Sequence, residues 1–144
     1  MLGRWRRPVP QALRVLIADD TSAIRALYRA IFEVSRGFEV VGEAGDGDEA
    51  VAVAIAQRPD VVLMDVEMPR MDGLLAMSLI RRRFPATKFV VISGLEPAAV
   101  GPTASRYGAD AYFQKGGVKP SELVEAVGRV CGRRSAPLHP LGAV

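Results

Sequence analysis

Residues 61–73 constrain the fold of this chain more than any other stretch. Four consecutive apolar residues, Val-Val-Leu-Met at 61–64, are followed at once by Asp65 and then by a turn-forming segment that ends in Gly73. An apolar run without polar alternation is typical of a central parallel strand that is covered on both faces. Ligand sites in such sheets lie at the carboxyl ends of the strands. We therefore predict that Asp65 belongs to a functional site.

Short apolar runs alternate with segments of helical periodicity along most of the chain. The pattern predicts strands at residues 14–18, 38–44, 61–64, 88–92 and 111–114. It predicts helices between and after them: one closed by Gly37, then 46–57, 73–84, 97–107 and a last one ending near Gly132. Asp46 and Glu49 have the spacing of a capping box at the start of the second helix. This alternation indicates an α/β fold with a doubly wound, five-stranded parallel sheet.

The fourth predicted helix contains Gly101 and Pro102 in its middle. A proline inside a helix lacks a backbone donor and crowds the preceding turn. We therefore expect this helix to be shortened or irregular.

The charge of the chain is unevenly distributed along its 144 residues. The formal net charge is +3, yet residues 1–14 and 129–144 contain seven arginines and no acid, so the segment between them is acidic. Arginine-rich termini can contact phosphates or acidic lipid headgroups, but short basic termini are more often solvated, and we favour the solvated interpretation for both. Cys131 is the single cysteine, which excludes an intrachain disulfide. No apolar run is long enough to span a membrane and no signal peptide is evident, so we predict a cytoplasmic protein.

Polar residues follow four of the predicted strands. Asp19 and Asp20 follow the first, and Asp65, Ser93 and Lys115 follow the third, fourth and fifth. Because the carboxyl ends of parallel strands lie at one edge, these five side chains are predicted to share a pocket. Three close carboxylates repel one another, which a cation relieves, and oxygen ligands with open water positions suit Mg²⁺.

Such a pocket is equipped for phosphoryl transfer. Asp65 would be the nucleophile that forms an acyl phosphate, Lys115 and Mg²⁺ would neutralise phosphoryl charge, and Ser93 would bind a phosphoryl oxygen. Taken singly, Asp20 or Thr21 is better explained as a helix cap, Ser93 as a turn residue and Lys115 as a solvated charge. Their predicted convergence at one edge favours the functional interpretation.

At these residues the chain resembles the receiver domains of bacterial two-component response regulators. The resemblance covers about residues 14–131 and rests on VLIADD at 15–20, DVEMPRMDG at 65–73, VVIS at 90–93 and GADAYFQK at 108–115. It implies a flavodoxin-like (βα)₅ receiver domain at 14–131, a basic extension at 1–13 and a tail at 132–144. The DVEMPRMDG segment looks most like the receivers of chemotaxis-type methylesterase regulators.

The resemblance also implies roles for individual residues. Asp65 would accept a phosphoryl group from a sensor histidine kinase, a phosphotransfer protein or a small phosphodonor. Asp20, Asp65 and the backbone carbonyl of Glu67 would bind Mg²⁺, with Asp19 acting through water, and the Glu67 carboxylate would lie at the pocket mouth. Ser93 and Tyr112 would move on phosphorylation and signal to a downstream protein, or the phosphoryl group would be relayed. The chain would then be a regulator that catalyses only its own phosphorylation and dephosphorylation.

Three alternatives remain at this stage. A phosphohydrolase of the haloacid dehalogenase type also uses a strand-end aspartate. Those enzymes have a second aspartate two residues later, whereas this chain has a glutamate there, Glu67. A flavodoxin-like FMN-binding module needs hydroxyl residues where Asp19 and Asp20 stand. A degenerate receiver would bind partners without phosphorylation. Residues 132–144 are too few for a helix-turn-helix, so no DNA-binding domain is expected within this sequence.

Overall fold

A computed structural model of the protein describes residues 11–133. Five strands form one parallel sheet in the order β2-β1-β3-β4-β5, which confirms the predicted doubly wound fold. The strands are β1 (Leu13–Ala18), β2 (Phe38–Ala44), β3 (Val61–Met64), β4 (Lys88–Ser93) and β5 (Ala111–Gln114). The predicted terminal segments lie almost wholly outside the described residues, but Leu13, assigned to the basic extension, is the first residue of β1.

A helix follows each strand. The helices are α1 (Ser22–Glu33), α2 (Gly47–Gln57), α3 (Gly73–Arg83), α4 (Pro97–Arg106) and α5 (Pro120–Val130). Within residues 11–133 no helix has the length and apolar character needed to cross a bilayer.

The strand β3 lies at the centre of the sheet and all four of its residues are buried. Val62 and Met64 belong to the apolar cluster shared with α2 and α3, while Val61 and Leu63 belong to the cluster shared with α1 and α5. Both faces of this strand are therefore covered, as the unbroken apolar run predicts. Asp65 follows at the point where the covered strand ends.

Helix boundaries agree with the sequence where a side chain caps them. Asp46 Oδ1 accepts a hydrogen bond from the backbone N–H of Glu49 at 2.8 Å, as the capping spacing predicts. The prediction that Gly37 caps α1 is wrong: the helix ends at Glu33, and Gly37 lies in the following turn with φ of +88°. A glycine is needed in that turn because its backbone is left-handed.

The prediction of a shortened or irregular fourth helix is also wrong. α4 runs for 10 residues with Pro102 inside it. Pro102 removes the donor that would pair with the carbonyl of Ala98, but both residues are exposed, so water can solvate that carbonyl. The buried Ala104 and the partly buried Val100 pack the helix onto the core.

Candidate functional site

The first and third strands bring three carboxylates together at the carboxyl edge of the sheet. Asp19 and Asp20 follow β1, Asp65 follows β3, and the two strands are neighbours. One oxygen from each carboxylate lies within 4.8 Å of the others. Asp19 and Asp65 are 2% and 3% exposed, whereas Asp20 is open to solvent. The cluster therefore has a buried floor and one accessible side.

Lys115 places its ammonium group between the two buried carboxylates. Its Nζ lies 2.7 Å from Oδ2 of Asp19 and 2.9 Å from Oδ2 of Asp65. Burial alone would lower the pKa of Lys115, but the hydrogen bonds to Asp19 and Asp65 outweigh burial and raise it. The backbone N–H of Lys115 donates to the carbonyl of Ser93 at 2.8 Å, so the strand-end backbones fix the base of this side chain. The site thus holds a permanent cation.

Asp65 is held at both of its carboxylate oxygens. Oδ1 accepts the backbone N–H of Glu67 at 3.0 Å, while Oδ2 accepts the ammonium of Lys115. Burial raises the pKa of Asp65, and Lys115 and the Glu67 N–H offset only part of that effect. Asp19 raises it further, because a neighbouring carboxylate disfavours a second negative charge. A divalent cation among these oxygens would favour the ionised form.

Ser93 and Tyr112, the two predicted switch residues, both bind the backbone of Leu95. Oγ of the fully buried Ser93 accepts the N–H of Leu95 at 3.2 Å. The hydroxyl of the partly buried Tyr112 donates to the carbonyl of Leu95 at 2.8 Å. One residue of the β4–α4 loop therefore engages both side chains.

Glu67 occupies a different place from the three clustered aspartates. Its side chain is exposed, and its carboxylate is not a member of the cluster of potential ligands. The carboxylate reaches across toward the β4–α4 loop, where a Cβ on Gly94 would lie 3.7 Å from Oε1. The side chain is therefore directed toward that loop and not into the aspartate cluster.

Sequence reasoning missed Arg25 and the role of Gly73. Nη1 of Arg25 donates to the carbonyl of Asp19 at 2.6 Å, and Nε donates to Glu43 at 3.1 Å, which ties the acidic turn to β2. A side chain on Gly73 would collide with the carbonyl oxygen of Asp65. The Asp-Gly pair before a helix was the available signal for Gly73, whereas nothing local in the sequence marks Arg25.

Comparison with known proteins decides the family. A profile of the response regulator receiver domain matches residues 15–128. The chain belongs to the response regulator receiver family. As a receiver, it is a phosphorylation-dependent signalling domain of a two-component system.

Similar proteins include a protein-glutamate methylesterase/protein-glutamine glutaminase of Thermotoga maritima, 39% identical over 107 residues. The match covers 73% of this receiver and 31% of that protein. More generally, the receiver spans about a quarter to a half of the length of the curated relatives it matches. The predicted similarity of this receiver sequence to methylesterase regulators is therefore confirmed.

Solved structures of receivers have the same fold. The response regulator domain of CheB from Thermotoga maritima superimposes with a TM-score of 0.79 and 32% identity, covering 87% of this chain and all of that one. One chain of the CheX–CheY–BeF3–Mg²⁺ complex from Borrelia burgdorferi superimposes with a TM-score of 0.77 and 28% identity, covering 83% of this chain and 90% of that one.

Proposed function

We propose that Asp65 is the phosphoacceptor of this receiver. The observation that carries the proposal is the position of Lys115, whose ammonium bridges the two buried carboxylates of Asp19 and Asp65. Asp65 directly follows a strand in which every residue is apolar. Structural packing alone gives no reason to bury two acids and one base at a strand edge, since such burial is costly. A site that receives a phosphoryl group does need such a base, because its ammonium can neutralise the incoming negative charge.

In the proposed reaction, a carboxylate oxygen of Asp65 attacks the phosphorus atom of the donor. The new O–P bond replaces the bond to the leaving group, which departs with its electron pair as a histidine imidazole or, from acetyl phosphate, as acetate. Lys115 moves from its two carboxylate partners toward the transferred oxygens and neutralises their charge. The N–H of Glu67 holds the other oxygen of Asp65 and so orients the carboxylate.

The residues that would hold Mg²⁺ are Asp19, Asp20 and Asp65, with the carbonyl of Glu67. Three carboxylate oxygens within 4.8 Å fit a hard divalent cation, and exposed Asp20 leaves one side open to water and phosphate oxygens. When bound, the ion neutralises charge that develops on the phosphoryl oxygens. A similar receiver complex that contains BeF3 and Mg²⁺ supports this assignment.

The switch is proposed to work through Leu95. Ser93 accepts the N–H of Leu95 and so keeps its own hydroxyl proton for a phosphoryl oxygen, whereas Tyr112 can turn inward only by releasing the Leu95 carbonyl. Because both bonds involve one residue, a loop movement that breaks one weakens the other. Phosphorylation would thus change the surface around α4 and β5 that a downstream protein reads.

We further propose that the protein works in the cytoplasm with a histidine kinase or phosphotransfer protein, and that it catalyses only its own phosphorylation and dephosphorylation. One phosphate per chain would agree with this role. Sustained hydrolysis of p-nitrophenyl phosphate by the wild type, lost in Asp65→Asn, would instead indicate a phosphohydrolase.

Intact mass after incubation with acetyl phosphate and Mg²⁺ tests the phosphoacceptor. The wild type should gain one phosphoryl group, and Asp65→Asn should gain none. Asp48→Asn, which removes an exposed acid from the first turn of α2, is the matched control and should be labelled like the wild type. Labelling of Asp65→Asn, or of the wild type without any divalent cation, would contradict the proposal.

A further inference from the structure

The two ends of the sheet differ in charge. Acids gather at the carboxyl edge, at strand ends and helix starts. They are Asp19, Asp20, Asp46, Asp48, Glu49, Asp65, Glu67, Asp72 and Glu96. At the opposite edge the helices end, because each helix runs back along the sheet to the start of the next strand. Those helix ends carry four exposed arginines: Arg58 after α2, Arg82 and Arg83 in α3, and Arg106 in α4. We call these four residues the basic edge.

The arginines of the basic edge have no carboxylate partner within residues 11–133. Two neighbouring acids, Asp60 and Asp110, have hydrogen-bond partners within the fold. Asp60 accepts the backbone N–H of Arg14 at 2.8 Å, and Asp110 accepts the N–H of Phe89 at 2.8 Å and the guanidinium of Arg81 at 3.2 Å. The four arginines outnumber these two acids, so the basic edge keeps a net positive charge.

Stabilisation of helix ends explains only part of this pattern. A cation at a helix C-terminus interacts favourably with the helix dipole. Arg81, in the last turn of α3, also links this helix to the carbonyls of Thr87 and Gly108. Arg82 and Arg83 add two more charges to the same turn. Arg58 and Arg83 also lie against the partly exposed ring of Phe84, each with its guanidinium carbon 5.7 Å from the ring centroid. Cations are thus held beside an aromatic ring at the surface.

Both ends of the described chain lie at this same edge. Nη2 of Arg133 donates to the carbonyl of Gln11 at 2.7 Å, and Nη1 donates to the carbonyl of Gly37 just before β2. Residues 1–10, which precede Gln11, contain Arg4, Arg6 and Arg7 around Trp5. Arginines interspersed with tryptophan are typical of segments that bind the headgroup layer of a membrane. The sequence thus adds three arginines within the residues that precede Gln11.

We propose that the basic edge is a docking surface for an anionic lipid bilayer. The helices α2, α3 and α4 pack on one face of the sheet and end at the same edge, so their arginines are spread along that edge, as contact with an extended layer of phosphates requires. Basic residues near an anionic leaflet each add favourable electrostatic energy. Docking in this orientation points the acidic carboxyl edge, with Asp65, away from the lipid and toward soluble partners.

Co-sedimentation of the full chain with vesicles tests the proposal. We expect binding to vesicles of phosphatidylcholine mixed with phosphatidylglycerol, no binding to phosphatidylcholine alone, and weaker binding as salt rises. The double variant R82E/R83E should lose roughly tenfold or more of the binding constant, because each charge reversal removes an attraction and adds a repulsion. Its labelling by acetyl phosphate should equal that of the wild type, which verifies the fold.

The matched control is R70E/K119E, which makes the same change of net charge with two exposed residues at the carboxyl edge. It should bind vesicles like the wild type. The proposal is overturned if anionic vesicles are not bound, or if the two double variants lose binding equally. The proposal is also overturned if R82E/R83E binds as well as the wild type and this binding is lost when residues 1–10 are removed. The binding would then come from residues 1–10 and not from the basic edge. Binding of single-stranded RNA or duplex DNA at concentrations that leave the vesicles free would assign the basic edge to nucleic acid instead.

Discussion

Nζ of Lys115 lies 2.9 Å from Oδ2 of Asp65, and the two residues are 50 positions apart in the chain. Asp19 completes this contact from the other side at 2.7 Å. The ammonium thus neutralises part of the carboxylate charge that a bound metal ion would also neutralise. The stability of the domain and the chemistry of the site are therefore linked.

Replacing Lys115 by methionine should destabilise the protein, because two buried carboxylates lose their cation. We expect a loss of about 1–3 kcal/mol in the free energy of unfolding, measured by urea denaturation without divalent cations. Saturating Mg²⁺ should reduce the loss, since the ion binds the folded state and supplies positive charge there. Lys119→Met, at an exposed position before α5, is the control and should change stability by less than about 0.5 kcal/mol. If Mg²⁺ stabilised neither the wild type nor Lys115→Met, the carboxylates would not form an ion site.

Two glycine substitutions should change stability in opposite directions. Gly73→Ala places a methyl group against the carbonyl of Asp65 and should cost about 1–3 kcal/mol while slowing phosphorylation. Gly101→Ala adds a methyl group inside α4 where no atom lies within 4 Å, so the gain in helix propensity should stabilise by about 0.5–1 kcal/mol. Thermal and urea unfolding of both variants provide the measurement. A destabilising Gly101→Ala would indicate that α4 does not form the regular helix described.

Arg81 and Arg82 are neighbours that should differ in importance. Nη2 of Arg81 donates to the carbonyls of Thr87 and Gly108 and to Asp110, and its guanidinium lies over the ring of Phe89. Arg81→Ala leaves these acceptors without a donor and should cost about 1–3 kcal/mol of unfolding free energy. Arg82→Ala removes an exposed side chain and should fall within about 0.5 kcal/mol of the wild type. Equal stabilities of the two variants would contradict the assigned contacts.

Cys131 should react slowly with thiol reagents in the folded protein. Burial, and to a smaller extent the charge of Asp60, raise the pKa of this thiol to about 11 from a usual value of 9.0. The thiolate is the reactive form, so alkylation by iodoacetamide at pH 8 should be about 100-fold slower than for an unperturbed thiol. The rate should increase about tenfold per pH unit until the pH approaches 11. Mass spectrometry of the native and the urea-unfolded chain separates this effect from the intrinsic reactivity, and equal rates would contradict it.

The sequence alone determined the elements and the chemistry-bearing residues. The apolar run before Asp65 required a buried strand, Asp46 marked the start of a helix, and the alternation of strands and helices required a parallel sheet. Parallel strands end on the same side of a sheet, so the residues that follow them were expected at one edge. These residues are Asp19, Asp20, Asp65, Ser93 and Lys115. Local physical preferences were sufficient for these inferences, since each depends on neighbours in the sequence.

The tertiary structure decided which groups touch. Only the order of the strands makes β1 and β3 neighbours, and only packing turns Lys115 between two carboxylates and brings Ser93 and Tyr112 to the same Leu95. Helix α4 also stays whole despite Pro102, against the local expectation: Ala104 and Val100 pack it onto the core, and the carbonyl left without a donor is exposed to water. The role of Arg25 and the charge difference between the two edges likewise arise from elements far apart in the chain. A linear pattern cannot contain such contacts, because their energies depend on distances that exist only after the chain has folded.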